Sequence, residues 1–448
     1  MNVVLLNTYD LGRQPFGLAS PAAWLRRAGV DVQAIDLSRQ KLSEDGIAAA
    51  GLIAFYLPMH TATRLALPVI DRVRAINPAA VICAYGLYAS LNEELLRQHG
   101  VSIVLGPEAE EDLVRLAGGS KDPPPHSALP RLNFIQPDRA GLPALDRYAS
   151  LQMPDGSRKT VGATDATRGC KHRCRHCPIV PVYDGQFRVV PADVVLADIR
   201  AQVEQGATHI TFGDPDFFNG PTHARRIVEL LHREFPTLSY DAIIKVEHLL
   251  KHRELLPVLA ATGCLFITSA VESVDDQVLA KLEKGHTRAD FAAAAAACRD
   301  AGLTLVPTFV AFTPWTTIDG YIDLLNVVDG LGLAANVAPV QWSIRLLVTW
   351  ASRLLELDDI KASVGPFDAK TLTYPWKHRD PRVDQLQQQV MALAGITLTR
   401  SREESFAAVR ELAHVARGIR SATTRVFPIE LVLPSRSAIP YMNEPWYC

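Results

Sequence analysis

The sequence contains few cysteines and has no extended hydrophobic run. Its 7 cysteines among 448 residues are an odd number, which does not suit a disulfide-stapled secreted domain. No apolar stretch reaches the roughly 18 residues of a membrane span, and the segment from Met1 to Asn7 lacks a cleavable signal pattern. We therefore expect a cytoplasmic protein without a membrane partner.

The sequence also lacks an excess of positive or negative charge. The 46 Lys and Arg residues against 48 Asp and Glu give a formal net charge of -2, and no long basic run is interleaved with aromatics. A phosphate-backbone partner normally requires such a basic surface. The composition therefore predicts no nucleic-acid partner and favours a small-molecule or peptide substrate. A chain of 448 residues also exceeds one usual hydrophobic core, so two or three domains are expected.

Three of the cysteines are concentrated in one short run. Cys170, Cys174 and Cys177 follow a C-x3-C-x2-C spacing. A 4Fe-4S cluster is usually held by four thiolates, so three cysteines leave one iron open for another ligand, and an open metal position is typical of catalysis. A structural zinc site of three cysteines with His172 or His176 is the alternative. Four basic residues of the run either form a solvated surface or compensate the negative charge of a cluster: Arg168, Lys171, Arg173 and Arg175.

Residues 1–120 alternate short apolar strands with amphipathic helical stretches. The predicted strands are Val3 to Asn7, Val32 to Leu37, Leu52 to Leu57, Val81 to Tyr85 and Ser102 to Leu105. This alternation predicts a flavodoxin-like, doubly wound parallel sheet, whose ligands bind beyond the carboxyl ends of the strands. The expected contact loops are Pro15 to Gly17, Pro58 to His60, Gly86 to Ser90 and Gly106 to Glu110.

The rest of the chain divides into three further segments. Residues 121–160 begin with the proline-rich linker Lys121 to His126 and lead into residues 161–356, where the alternation restarts. Six strand-helix units predict a partial (β/α)6 barrel, with the cysteine loop after its first strand, where barrel enzymes place catalytic groups. Residues 357–448 read as a mainly helical cap. The predicted strands are Gly162 to Thr167, His209 to Gly213, Tyr240 to Val246, Leu265 to Val271, Thr304 to Phe312 and Asn336 to Ile344.

At its cysteine run the chain resembles the radical S-adenosylmethionine (radical SAM) superfamily. The resemblance implies that the three cysteines hold a 4Fe-4S cluster whose free iron chelates S-adenosylmethionine. One electron from a reducing donor such as flavodoxin or ferredoxin then splits a carbon-sulfur bond. Residues 1–120 resemble the cobalamin-binding domain that precedes many such barrels, which makes cobalamin a possible cofactor, although no Asp-x-His-x-x-Gly motif supplies a histidine ligand to cobalt.

The resemblance also implies roles for residues at the strand ends. An acid near Gly213, either Asp214 or Asp216, would bind the methionine amino group; the alternative is a proline-containing turn capped by aspartate. Glu272 and Ser273 would approach the ribose hydroxyls and the carboxylate of the cofactor, or cap the following helix. The adenine would meet the segment from Thr308 to Pro314 and the ring of His176. Gln341 and Arg345 are further candidates for substrate or carboxylate contacts.

The chain ends in Trp446, Tyr447 and Cys448. With the segment from Leu11 to Gly17 and the cysteine loop, this tail resembles a radical SAM group whose tail reads Cys, then selenocysteine or cysteine, then Ala-Glu-Pro. We hypothesise that a UGA codon was read as a stop; an ordinary terminal cysteine is the alternative. Two other functions stay open: transfer of a 3-amino-3-carboxypropyl group, and a non-catalytic zinc- or cobalamin-binding module.

Overall fold

The computed structural model describes residues 2–120, 129–396, 401–418 and 438–443. Cys448 and the whole of the predicted proline-rich linker, Lys121 to His126, lie outside these ranges. Within them, no helix combines the length and apolarity needed to cross a bilayer.

The first part of the chain folds into a five-stranded parallel sheet with the strand order β2-β1-β3-β4-β5. This is the flavodoxin-like order, and apolar clusters cover both faces of the sheet, as parallel strands require. The strands are β1 Val3–Asn7, β2 Val32–Asp36, β3 Leu52–Tyr56, β4 Val81–Tyr85 and β5 Ile103–Val104, and the helices are α1 Phe16–Arg27, α2 Glu44–Ala49, α3 His60–Ile76, α4 Leu87–Leu91, α5 Glu93–Gln98 and α6 Glu110–Ala117.

The second sheet is a curled half-barrel of seven strands in the order β13-β12-β11-β10-β7-β6-β14. Five of its strands run parallel, while β6 and β14 add antiparallel at one edge. The strands are β6 Ser150–Gln152, β7 Arg158–Thr164, β10 His209–Phe212, β11 Ser239–Ile243, β12 Cys264–Glu272, β13 Thr304–Phe309 and β14 Tyr441–Met442. A separate ribbon joins β8 Thr167–Gly169 to β9 Phe187–Val189.

Helices cover the outer face of the half-barrel and pack on its largest apolar core. They are α8 Ala192–Glu204, α9 Pro221–Glu234, α10 Val246–Lys251, α11 Leu256–Ala261, α13 Arg288–Asp300 and α14 Ile318–Gly330. The short helix α7 Val180–Tyr183 packs through Val182 on a cluster of the first sheet, and α12 Asp276–Lys281 packs on a smaller cluster. The C-terminal cap contains α15 Asp358–Lys361, α16 Pro381–Ile396 and α17 Arg402–Ala416. The predicted fold class is confirmed, and the predicted domain limits stay predictions.

The sixth predicted barrel strand, Asn336 to Ile344, is wrong. Pro339–Ser343 forms a 3-10 helix, and only an isolated parallel bridge between Phe312 and Arg345 continues the sheet. Proline at the start of the turn cannot donate to a strand ladder and suits the first position of a helix. The first predicted strand is also divided, because β7 ends at Thr164 and Thr167–Gly169 belongs to the ribbon.

Candidate functional site

The three cysteines lie on the loop that follows β8, at the carboxyl end of the half-barrel. Cys174 is buried, and Cys170 and Cys177 are half-buried. Burial, together with the charge of the neighbouring cysteines, raises the pKa of Cys170 to about 11 and that of Cys177 to about 12. Three clustered thiols, of which Cys170 and Cys177 resist ionisation on their own, suit a metal centre, because the positive charge of bound iron stabilises the thiolates. The residues present therefore fit a cluster.

Gly169 sets the entry of the chain into this loop. Its φ is +79°, and a Cβ built there would lie 2.4 Å from Cδ1 of Tyr183 and 2.7 Å from the carbonyl oxygen of Gln186. Only glycine tolerates both the left-handed backbone and the close approach. Asn219 then holds the loop on both sides of Cys170, since its Nδ2 donates to the Gly169 carbonyl at 3.1 Å and its Oδ1 accepts from the Lys171 amide at 3.2 Å.

Glu272 ends β12 beside the loop. It has a left-handed φ of +68° at a register shift between β12 and β13, and such strained residues tend to cluster at functional sites. Its Oε1 lies 3.2 Å from Nε2 of His176 and 3.4 Å from Nζ of Lys284. Burial alone would raise the pKa of Glu272, but Lys284 and His176 lower it to about 2. The carboxylate is therefore ionised and can only accept hydrogen bonds.

Lys284 is a further residue of the site that no sequence motif marks. Its side chain is 4 % exposed. Although burial lowers the pKa of this amine, Glu272 and the thiols of Cys174 and Cys177 raise it above the usual value. It is thus a buried cation next to two of the clustered thiols.

The arginines of the cysteine loop are paired with carboxylates instead. Arg173 pairs with Asp184, Arg175 with Glu283 and Glu356, and Arg168 with Glu108 and Glu110. Their charges are therefore largely neutralised by protein groups. Lys284 also pairs with a carboxylate, that of Glu272, but it differs from the arginines because it interacts with the thiols of Cys174 and Cys177.

The two aspartates after β10 have separate roles. Asp214 accepts hydrogen bonds from the Ala166 amide at 2.9 Å and from Oγ1 of Thr167 at 2.6 Å, and burial raises its pKa to about 8. Asp216 instead approaches His172 and His248, at 3.3 Å and 2.6 Å. Asp214 therefore supports the start of the cysteine loop, while Asp216 remains the acid directed toward its side chains.

The remaining predicted residues either have a hydrogen-bond partner within the protein or lie on and after β13. Ser273 accepts from the Asp275 amide at 3.1 Å, and Asp275 caps α12. Thr308 lies on β13 opposite Ala270, and Pro314 follows the end of that strand, both half-buried.

The two candidates near the predicted sixth strand have structural partners. Gln341 accepts from the Phe309 amide at 3.0 Å. Arg345 binds Asp384 at 2.7 Å and lies over the Trp376 ring, 3.4 Å from its centre.

A cavity of about 260 Å³ separates the first sheet from the half-barrel. The predicted loops of the first sheet line it through Phe16, Pro58, Gly86 and Glu110, and the half-barrel contributes Asp165, Arg168 and Gly213. His60 does not line it and lies 2.6 Å from the Thr371 carbonyl. Sites for drug-sized ligands measure about 300–1,000 Å³, and cobalamin is larger than such ligands. Cobalamin binding at this cavity stays a prediction from the sequence.

A sequence model of the radical SAM superfamily matches residues 165–322. This segment is a radical SAM domain. It contains the cysteine loop, Asp216, Glu272 and Lys284. The superfamily uses a 4Fe-4S cluster and S-adenosylmethionine, so these are the cofactors of the domain.

Curated relatives of the chain carry the name tRNA-2-methylthio-N(6)-dimethylallyladenosine synthase. The relative from Pseudomonas savastanoi pv. phaseolicola is 22% identical over 275 residues, which are 58% of this chain and 59% of that protein. The relative from Haemophilus influenzae (strain PittEE) is 25% identical over 230 residues, 48% of this chain and 45% of that protein. The chain thus spans about half to three-fifths of the length of these relatives.

Two solved structures share the fold. TsrM from Kitasatospora setae, a radical SAM methyltransferase with tryptophan and a SAM analogue bound, has a TM-score of 0.61 at 16% identity and covers 74% of this chain and 71% of its own. OxsB, a cobalamin-dependent radical SAM enzyme with aqua-cobalamin bound, has a TM-score of 0.66 at 15% identity and covers 92% of this chain and 72% of its own. The likeness confirms the arrangement of a parallel sheet followed by a half-barrel.

Proposed function

We propose that the protein is an enzyme that reductively cleaves S-adenosylmethionine at the Cys170, Cys174 and Cys177 loop and starts radical chemistry on a small molecule or peptide. The observation that carries this proposal is the buried pair of Glu272 and Lys284 beside that loop. A bound cluster would supply the electron that breaks the carbon-sulfur bond. An external reductant such as flavodoxin or ferredoxin would replenish it.

The chain's own residues would hold and orient the cofactor. Glu272 is ionised and can accept hydrogen bonds from both ribose hydroxyls. Lys284 offers a charge that suits the methionine carboxylate, and Asp216 offers one that suits the amino group. Lys284 and Asp216 thus carry opposite charges, which complement the carboxylate and the amino group of the zwitterionic methionine moiety. Their burial strengthens these interactions, because few waters compete with them.

We propose that the substrate is not a nucleic acid, although the curated relatives modify tRNA. The arginines nearest the cysteine loop are bound by carboxylates, and the formal net charge of the chain is -2. Phosphate binding would have to separate these ion pairs. A filter-binding or fluorescence assay should therefore find no RNA binding at 150 mM salt. Submicromolar binding of transfer RNA by the pure protein would refute this part of the proposal.

Anaerobic purification followed by chemical reduction tests the function. We expect a brown protein that contains iron and sulfide and forms 5'-deoxyadenosine from S-adenosylmethionine, as measured by mass spectrometry. Methylthioadenosine as the product would instead favour transfer of a 3-amino-3-carboxypropyl group. A colourless zinc protein would leave only the non-catalytic alternative.

Substitution of one cluster cysteine provides the matched control. Cys174→Ala should lose the iron chromophore and all cleavage products. Cys298→Ala removes a buried thiol of α13 that lies in the apolar core, so it should keep both. Equal loss in the two variants would mean that the effect reflects general unfolding.

A further inference from the structure

Three side chains next to the cysteine loop converge without making well-aligned hydrogen bonds. Nε2 of His172, Oδ2 of Asp216 and Nδ1 of His248 lie within 4.8 Å of one another. None of these buried atoms has a hydrogen-bond partner of acceptable geometry, even though the separations from Asp216 are 3.3 Å and 2.6 Å. The three atoms thus crowd together without a well-aligned hydrogen bond between them. This is the arrangement of ligands around a single ion.

Burial makes the lack of partners costly. The side chains of Asp216 and His248 are each 1 % exposed, and that of His172 is 13 % exposed. Buried polar atoms are nearly always satisfied, because each unsatisfied one costs about 1–3 kcal/mol. A cation placed between the three atoms would satisfy all of them at once.

We propose that His172, Asp216 and His248 bind a divalent transition-metal ion, Zn²⁺ or Fe²⁺, separate from the cluster. Two imidazoles and one carboxylate are a ligand set that both ions accept, and three protein ligands leave a position open. Ligands about 2.0–2.2 Å from a tetrahedral ion lie about 3.3–3.6 Å apart. The separation of Asp216 from His172 already has this value, and that from His248 needs to widen by less than about 1 Å.

The surroundings can support such an ion. The other oxygen of Asp216 accepts from the Phe218 amide at 3.2 Å, which fixes the carboxylate. When Nε2 of His172 binds metal, its Nδ1 carries the hydrogen and needs an acceptor. Glu247 lies 3.7 Å away and can accept it. Lys245, which now lies 3.0 Å from that nitrogen, would turn to Glu247, its ion-pair partner at 3.1 Å.

The ion would tie together three elements of the site. His172 belongs to the cysteine loop, Asp216 follows β10, and His248 lies in α10 after β11. A metal bridge between them would fix the loop on the rim of the half-barrel before a cluster is assembled. The site excludes the cluster cysteines, so its metal can be tested without a cluster. With the ion bound, Asp216 would be a metal ligand and would not contact the amino group of S-adenosylmethionine.

A variant without cluster ligands isolates the proposed site. The full chain carrying Cys170→Ala, Cys174→Ala and Cys177→Ala is stripped with chelator and titrated anaerobically with Co²⁺, followed by calorimetry and visible absorption. We expect one Co²⁺ per chain. Adding His248→Ala or Asp216→Asn should weaken binding at least tenfold, whereas adding His252→Ala, one turn further along the chain, should not. No binding, or binding unchanged by His248→Ala, would overturn the proposal.

The unmodified chain gives a second measurement should the triple variant not fold, as judged by circular dichroism. Anaerobically purified wild type is analysed for zinc, iron and sulfide beside His248→Ala. The proposal requires one metal ion per chain in excess of the cluster, lost in His248→Ala while sulfide is unchanged. Metal content equal in the two proteins would contradict it. Since sulfide reports the cluster alone, failure of this inference is distinguishable from failure of the proposed function.

Discussion

Nζ of Lys284 lies 3.4 Å from Oε1 of Glu272, and both side chains are buried next to the cysteine loop. The two residues are 12 apart in the sequence: Glu272 ends β12, and Lys284 lies in the turn that follows α12. This pair holds an ionised carboxylate and a cation at the position where a zwitterionic cofactor would bind. Its charges can therefore be tested separately from the cysteines.

Lys284→Met should weaken binding of S-adenosylmethionine at least tenfold, because the methionine carboxylate loses its counter-charge and Glu272 keeps His176 but loses its buried cation. Isothermal titration with the reconstituted protein measures the effect. Lys284→Arg should restore part of the affinity. Lys281→Met removes a lysine of α12 that pairs with Asp359, and it should bind normally. An unchanged affinity in Lys284→Met would exclude the assigned contact.

The acid stability of the protein without a cluster should depend on Glu272. Its folded pKa of about 2 lies below the ordinary value of 4.5, so its stabilisation is complete above pH 4.5 and is lost as pH falls toward 2. Unfolding in urea should show a free-energy difference between wild type and Glu272→Gln of about 3 kcal/mol at pH 6, smaller at pH 3. Groups that do not contact Glu272 cancel in this difference. A difference that is the same at both pH values would contradict the assigned ionisation.

Gly169→Ala should destabilise the cysteine loop more than the positive φ alone explains. Gly302 is a matched control, because its φ is +72° but a Cβ there meets no atom within 4 Å. Gly302→Ala should cost about 1–2 kcal/mol from the backbone alone. Gly169→Ala adds contact with Tyr183 and should also lower iron content after reconstitution. Equal free energies of unfolding for the two variants would show that the loop shifts enough to accommodate the added Cβ without cost.

Arg168→Met should destabilise the protein by about 3–5 kcal/mol, because it leaves Glu108 and Glu110 buried without their counter-charge. Burial already raises the pKa of Glu108, which Arg168 opposes. Chemical denaturation measures the loss, which should be larger at pH 8 than at pH 5 because the orphaned carboxyls can protonate. Adding Glu108→Gln and Glu110→Gln should recover part of it. No recovery would mean that Arg168 acts through its packing on Phe16 and Phe134.

The sequence predicts those parts of the fold that depend on local patterns. The strands of the first sheet alternate with helices as expected, and β4 spans Val81–Tyr85 as predicted. The prediction of a strand at Asn336 to Ile344 failed because the spacing of apolar residues there resembles that of a strand. Trp342 is instead buried against Phe309, with ring centres 6.0 Å apart, in a 3-10 turn that Pro339 begins.

Site residues were predictable where a motif marks them and not where only the fold brings them together. The three cysteines and Glu272 follow from motif and strand position, although their assigned roles remain proposals. Lys284 sits in a short turn between two helices, and nothing local distinguishes it from a surface lysine. Asn219 is similarly ordinary in the sequence, and His248 of α10 meets His172 of the cysteine loop only in the folded chain.

The buried ion pairs of Arg168 also limit how this protein can be rearranged. Arg168 stands directly before Gly169, yet its carboxylate partners, Glu108 and Glu110, belong to the first sheet's loops, and Tyr183 donates to Glu108 at 2.8 Å. A half-barrel expressed alone, or fused to a different N-terminal domain, would have an Arg168 guanidinium without its carboxylate partners at the start of the cysteine loop. The two halves are therefore not interchangeable modules, and an exchange would have to replace Arg168 together with both glutamates.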